Sequence, residues 1–172
     1  HIVPHNDGHP GFGNRFFLSS YGNTMLRREL TLDVSCKNIT DARLARIQRV
    51  VSRDPRFAEL SVLHLFDNHV TSRGIQEVCR LNPAHIRTIW LGHNRIRDDG
   101  IVTLVGTDWP SLVHLFLDDN FIGDTGATHL VTLKTVRRLG MHTNCLTEQG
   151  IAILRRVPYE VLWVQSQRQP SM

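Results

Sequence analysis

Asp67, His93 and Asp119 follow one another at intervals of 26 residues: carboxylate, imidazole, carboxylate. Brought side by side, such a set could ligate a divalent cation or form a hydrogen-bonded acid–His–acid row with a raised imidazole pKa. Side chains on one strand surface converge poorly on a metal, so the hydrogen-bonded row is the expected form, serving as a pH-sensitive binding edge. The chain holds ten histidines, of which His1, His5 and His9 fall in a Gly- and Pro-containing leading stretch and read as solvated side chains rather than a metal grip. No Lys-containing phosphate loop, G-x-S-x-G or H-E-x-x-H occurs, and "GFGNRF" at 11–16 lacks the glycines and the preceding strand of a dinucleotide motif. Cys36, Cys79 and Cys145 make an odd, widely spaced set, which argues against a disulfide framework or zinc site and for a reducing, intracellular compartment such as the cytoplasm or an organelle matrix like the mitochondrial one. The expectation is a chain with no enzyme activity, no catalytic residue, no metal, no cofactor and no small-molecule substrate.

Bulk composition sets the frame for those residues. A chain of 172 residues is long enough for one domain with a sizeable core, and 41% hydrophobic with 21% charged residues excludes wholesale disorder. No apolar run reaches the roughly 18 residues that a membrane span requires. The chain opens on His rather than Met, as a processed or trimmed product would. Net charge is +4, and 18 of the 20 basic residues are Arg, a bias that fits phosphate contact or a solvated basic face; no basic run of five occurs.

The spacing of the chemistry-bearing residues comes from a repeat. "LHLFDNHVTSRG" at 63–74 returns as "IWLGHNRIRDDG" at 89–100, "LFLDDNFIGDTG" at 115–126 and, more loosely, "LGMHTNCLTEQG" at 139–150. Asn68, Asn94, Asn120 and Asn144 are spaced by 26, 26 and 24 residues, and Gly74, Gly100, Gly126 and Gly150 keep the same register. Ahead of each Asn stands apolar-x-x-apolar-x-apolar: Leu60/Leu63/Leu65, Ile86/Ile89/Leu91, Leu112/Leu115/Leu117 and Val136/Leu139/Met141. A fixed period in the twenties with this frame marks a solenoid. The period-two pair predicts a short strand, the Asn a turn inward where its amide pairs with unmet backbone groups, and Val70, Ile96, Ile122 and Leu146 plugs of the core. Ser72, Asp98 and Asp124 fit helix N-caps. Beyond them, Ile75/Val78, Ile101/Leu104, Ala127/Leu130 and Ile151/Leu154 have the spacing of a one-sided helix.

This pattern resembles the leucine-rich repeat family, and within it the ribonuclease inhibitor-like subclass, over roughly 29–167. The resemblance implies an α/β solenoid, a short curved right-handed array with parallel strands on the concave face and helices on the convex one, and a function in protein recognition. Repeats slightly short for the subclass imply brief or partly 3₁₀ helices, above all in the shorter fourth repeat. Both ends depart from the pattern, as capping repeats do. "ELTLDVSCKNITDARLARI" places Leu32 and Val34 in the core, Ile39 as plug, Lys37 at the Asn position and Arg43 at the Gly position; "YEVLWVQSQ" places Gln167 at the closing Asn position. Six strands are expected in 29–167. Residues 1–28 read as a flexible arm and N-terminal cap, either a hairpin around Tyr21-Gly22-Asn23 that covers the first repeat with Phe16 and Phe17 or a short helix, and 168–172 as a tail.

In such an array equivalent strand positions stack into rows. Between the core positions runs Asp33, His64, Trp90, Phe116, Gly140, Trp163; the next outward row is Ser35, Phe66, Gly92, Asp118, His142, Gln165; the row before the core pair is Thr31, Val62, Thr88, His114, Arg138, Val161. Large aromatics on a face the core does not need suggest an anchor surface. The expected partner site is therefore Trp90 and Phe116, extended by His64, Phe66, His114 and Trp163, with His93, Asp118, Asp119 and His142 as its polar rim. Arg73, Arg80, Arg87, Arg95 and Arg97, with the pairs Arg137/Arg138 and Arg155/Arg156, read as a convex basic face. The functional expectation is a non-catalytic protein-binding scaffold or complex subunit; an RNA- or ribonucleoprotein-associated protein is the alternative. Trp109, before the helix-stopping Pro110, reads as packing at the core's flank.

Overall fold

The computed structural model describes residues 29–165, 167 and 168. The arm and cap expected over 1–28, the end of the tail at 169–172, and Ser166 lie outside the described residues. The chain alternates strand and helix: β1 (Leu30–Asp33), α1 (Asp41–Val51), a 3₁₀ turn (Pro55–Phe57), β2 (Leu60–His64), α2 (Ile75–Cys79), β3 (Thr88–Trp90), α3 (Asp98–Val105), β4 (His114–Phe116), α4 (Asp124–Leu130), β5 (Arg138–Gly140), α5 (Glu148–Arg155) and β6 (Val161–Trp163). The six strands form one parallel sheet in chain order. Leu32, Leu63, Ile89, Leu115, Leu139 and Leu162 lie on one rung line. Strands neighbour at about 4.8 Å and packed helices at about 8–10 Å, so the array must bend with its sheet on the inner, concave side.

Each repeat fills the space between sheet and helices with the residues its frame sets there. Leu65, Leu91, Leu117 and Met141, the plugs Val70, Ile96 and Ile122, and the helix residues Ile75, Ile101 and Ala127 are fully buried. Trp109 is buried as well, and its indole N–H donates to the Leu104 carbonyl at 2.8 Å. Brevity of the helices is as the short period implies, but the shortest is α2, with 5 residues, in the first full repeat; α5, in the short fourth repeat, keeps 8.

The asparagines hold successive turns together. Asn94 Oδ1 accepts the Val70 N–H of the preceding repeat at 2.9 Å, while its Nδ2 donates to the carbonyls of Leu65 (2.9 Å), Leu91 (3.1 Å) and Gly92 (3.1 Å). Asn68, Asn120 and Asn144 repeat the scheme. The ends differ from each other. Lys37 is exposed and contributes backbone groups alone: its N–H donates to Asn68 Oδ1 at 3.2 Å and its carbonyl accepts from Arg43 Nη1 at 3.0 Å. Gln167 does an asparagine's work with one more methylene: its Oε1 accepts from Asn144 N–H and Leu146 N–H, and its Nε2 donates to Met141 and Val164 carbonyls at 2.9 and 2.8 Å.

A second ladder runs along the helix starts, and it corrects the capping expectation. Ser72, Asp98 and Asp124 do not cap their own helices; the residues at the caps are Gly74, Arg97 and Gly123, none with a side-chain cap bond. They reach forward to the next repeat instead. Asp41 accepts from Thr71 N–H, Ser72 Oγ from Arg97 N–H, Asp98 from Gly123 N–H at 2.7 Å and Asp124 from Thr147 N–H at 2.9 Å. This explains the register glycines. A Cβ added to Gly74, Gly100, Gly126 or Gly150 would meet a neighbouring heavy atom less than 3.0 Å away, in Gly126 the Ile122 side chain and the Asp98 carboxylate. Their helical backbone has no need of glycine; the space does.

Two stability measurements test this account. Asn94→Ala should lower unfolding free energy by about 1–3 kcal/mol in denaturant titrations, since it orphans buried backbone groups, whereas Lys37→Ala should change it by less than about 0.5 kcal/mol. Gln167→Ala should fall with Asn94, not with Lys37. Gly126→Ala should destabilise by about 1–3 kcal/mol through overpacking, although Ala is favoured over Gly inside a free helix by about 1 kcal/mol. A gain in stability would show that the helix starts are loosely packed.

Candidate functional site

Pleat geometry turns alternate strand residues away from the helices, which sets the expected aromatic row on the concave face. Asp33, His64, Trp90, Phe116, Gly140 and Trp163 are rung partners across all six strands. The rings stack on each other along the row: His64 on Trp90 at 5.5 Å and 10° between planes, Trp90 on Phe116 at 3.8 Å and 22°, and Phe116 towards Trp163 at 5.8 Å across the rung where Gly140 has no side chain. Phe116 is consequently only 8% exposed, which corrects its reading as an exposed central anchor; its neighbours cover it. Within these two rows Trp163, at 39%, and Phe66, at 36%, face solvent, with Trp90 and His64 between the extremes. Phe66 leans over Gly92, whose missing Cβ leaves room for the ring.

The next rows are polar. Asp118 bends over Gly140, where a Cβ would collide with its carboxylate, and accepts the His142 backbone N–H at 2.8 Å. Burial raises the Asp118 pKa, against the lowering effects of that N–H and of the imidazoles of His142 and His93. His142 Nδ1 lies 3.1 Å from the Gln165 carbonyl. The row Asp67–His93–Asp119 is not a symmetric acid–His–acid set. His93 Nδ1 pairs with Asp119 at 2.8 Å and its ring meets Phe66 edge-on at 4.8 Å, while Asp67 lies towards Cys36, whose thiol pKa is raised by partial desolvation first and by the Asp67 carboxylate second. Among the described residues no group of three or more His, Cys, Asp or Glu could hold a metal ion. His114, in the row before the aromatics, approaches Thr88 Oγ1 at 3.3 Å.

Three features of this face escaped the sequence reading. Cys36, Asp67, His93, Asp119 and Thr143, the residues just before the ladder positions, all take left-handed backbone with φ near 50° (values 52 to 54). Asp and His tolerate that region better than most non-glycine residues, a weak cue in single repeats that gains force only in register. Second, Phe121, in the connection from β4 to α4 and bridged to Arg97, stands exposed with two guanidinium groups over its ring, Arg97 at 5.6 Å and Arg168 at 4.5 Å. Arg168 also pairs with Asp119, so the residue read as the start of a tail is tied to the concave rim. Third, the arginines do not form one convex face: Arg138 lies in β5 on the concave side, Arg95 and Arg97 bridge the loops to Thr71 and Phe121, and Arg80 pairs with Glu77 at 2.8 Å.

The open parallel sheet, the alternating helices and the inward Asn at each turn agree with the comparison with known families. The Leucine Rich repeat family model matches residues 60–79 and 82–105, which cover the first two of the four full copies. The fold is a leucine-rich repeat solenoid. No curated protein matches the chain. Among the described residues of the solenoid no helix is long and apolar enough to cross a membrane.

The histidines of the concave face make its stability pH-dependent. Burial lowers the pKa of His64, opposed by Asp33, and lowers that of His114, assisted by the positive charges of Arg138 and Arg87. A folded-state pKa below the usual 6.5 means that the unfolded chain binds the proton more readily, so stability present above pH 6.5 is lost as pH falls through that value towards the folded pKa. Asp118 works in the opposite direction, its raised pKa favouring the fold on acidification. Melting temperature should therefore fall less between pH 7.5 and 5.5, about one unit either side of the free imidazole, in His64→Gln than in the wild-type chain. Parallel curves would show that His64 titrates as freely in the fold as out of it.

Proposed function

We propose that this solenoid is a non-catalytic interaction module that grips a protein partner on its concave face, as a fixed subunit of a larger assembly. The supporting observation is the aromatic row: Trp90 and Trp163 flank a buried Phe116 on the side of the sheet that the core leaves alone, with Phe66 exposed in the next row. Leucine-rich repeats generally serve as protein-interaction modules, and rigid aromatics give large contact area at low entropy cost. His64 and His114 extend the apolar centre; His93, Asp118, Asp119 and His142 supply a polar border. Three unpaired thiols support a reducing compartment, the cytoplasm or an organelle matrix.

The stacking itself bears on the RNA alternative. Platforms for single-stranded nucleic acid offer ring faces to bases. Here the faces of His64, Trp90 and Phe116 are turned to one another, and the arginines are dispersed over several faces, so protein side chains suit the surface better than bases.

A photo-crosslinking residue placed at position 163 of the full chain, in extract of the source cells, should give protein adducts that persist in high salt, and none when placed at the exposed convex position of Val102. Trp163→Ala and Phe66→Ala, each folded as wild type, should weaken capture of that adduct's protein about tenfold or more, and Arg80→Ala should leave it within about fivefold. RNA adducts lost at moderate salt and indifferent to both aromatic changes would overturn the reading in favour of phosphate contact.

A further inference from the structure

Strand β5 sets a guanidinium into the concave face beside the aromatic row. Arg138 is rung partner of His114 on β4 and of Val161 on β6, and stands two residues before Gly140, the rung that Phe116 and Trp163 flank. It is half-buried, its backbone N–H donates to the Val113 carbonyl at 3.1 Å, and among the described residues its side chain has no hydrogen bond or ion pair; the Nε is shielded from solvent and unpartnered. The shielded Nε fixes the guanidinium in place, and its two Nη groups, which are not among the shielded atoms, are the donors that an incoming acceptor can meet. The acceptor that fits a guanidinium's planar fork is a carboxylate, through two parallel bonds. Asp118, the carboxylate that bends over Gly140 two residues further along β5, accepts the His142 N–H and has no hydrogen bond or ion pair to Arg138.

Charge around Arg138 points the same way. Arg87, just before β3, and Arg138, in β5, stand on the two strands that flank β4, and both bear on His114 as positive charges, each more strongly than Glu29 or Glu160 opposes them. An incoming anion meets a positive end of the face, while an incoming cation meets repulsion.

We propose that Arg138 is the anion subsite of the concave face and takes an Asp or Glu carboxylate from an extended segment of the partner, whose apolar side chain two residues away rests on Trp163. The spacing follows from the rows. Arg138 and the Gly140–Trp163 rung are two residues apart along the strands, about 6.6 Å, which is the separation of same-side neighbours in an extended peptide. This subsite rests on the concave-face reading above and adds the chemistry of the occupant.

The test uses the full chain, isotopically labelled with nitrogen-15, and two probes capped at both ends: the tripeptide Glu-Ser-Leu and its counterpart Gln-Ser-Leu. The signals followed are Arg138 Nε–H and the indole N–H groups of Trp163 and Trp90. The Glu peptide should shift Arg138 and Trp163 together and bind about fivefold or more tightly than the Gln peptide. In Arg138→Gln, whose amide spectrum reports folding, the two peptides should bind alike, and Arg138→Lys should restore part of the preference. Equal binding of both peptides to the wild-type chain, or a preference that survives Arg138→Gln, overturns the subsite. If the Trp163 signal still moves in that case, the concave-face reading stands without it; if neither peptide moves Trp163 or Trp90, both fall.

Discussion

A backbone that turns inward every two dozen residues buries N–H and C=O groups that its own turn cannot pair, and unpaired buried groups are too costly for a short repeat to carry. Asn68, Asn94, Asn120 and Asn144 meet that requirement with a side chain that both donates and accepts from one planar amide. Everything else in the array is arranged around that fixed point. Leu63, Ile89, Leu115 and Leu139 share a rung line because each precedes its Asn by the same number of residues. The carboxylate and hydroxyl groups of Asp41, Ser72, Asp98 and Asp124 then bond the helix starts of adjacent repeats from the other side.

The concave face inherits its order from that constraint. Strands of three residues, such as β3, β4 and β5, carry few outward side chains. Because their register is held rung to rung, those few form rows that single strands could not build. Trp90 touches Phe116 because their strands are paired, and Phe116 approaches Trp163 because β5 contributes a glycine between them. A surface assembled this way is rigid before any partner arrives, which lowers the entropy lost on binding.

Much of this was legible in the chain. The Asn frame placed six strands, the plugs and the rows correctly, since period and register survive without coordinates. What stayed hidden depends on contacts between repeats. Asp98 and Asp124 stand where N-caps stand, and only the neighbouring repeat shows that they bond forward rather than to their own helix. Phe116 reads as an exposed anchor until its neighbours are seen to cover it. Asp67 and His93 occupy consecutive rungs, yet His93 turns to Asp119 and Phe66, a choice of rotamer that spacing does not reveal. Arg138 is named by its row as concave and by its company of arginines as convex; the register decides for the row. Gln167 looked like a degenerate end and proves to be a working member of the ladder.

Every amide of the ladder bonds its own turn through its nitrogen, and beyond its own turn it reaches only towards the N-terminus. Asn94 serves Val70 and Leu65, Asn120 serves Ile96 and Leu91, Asn144 serves Ile122 and Leu117, and Gln167 serves Leu146 and Met141: each reaches back to the turn made before it. An array cut short after any repeat therefore keeps one turn whose buried N–H and C=O groups have lost their partner. The last turn needs a closing residue of its own, and Gln167 is that residue.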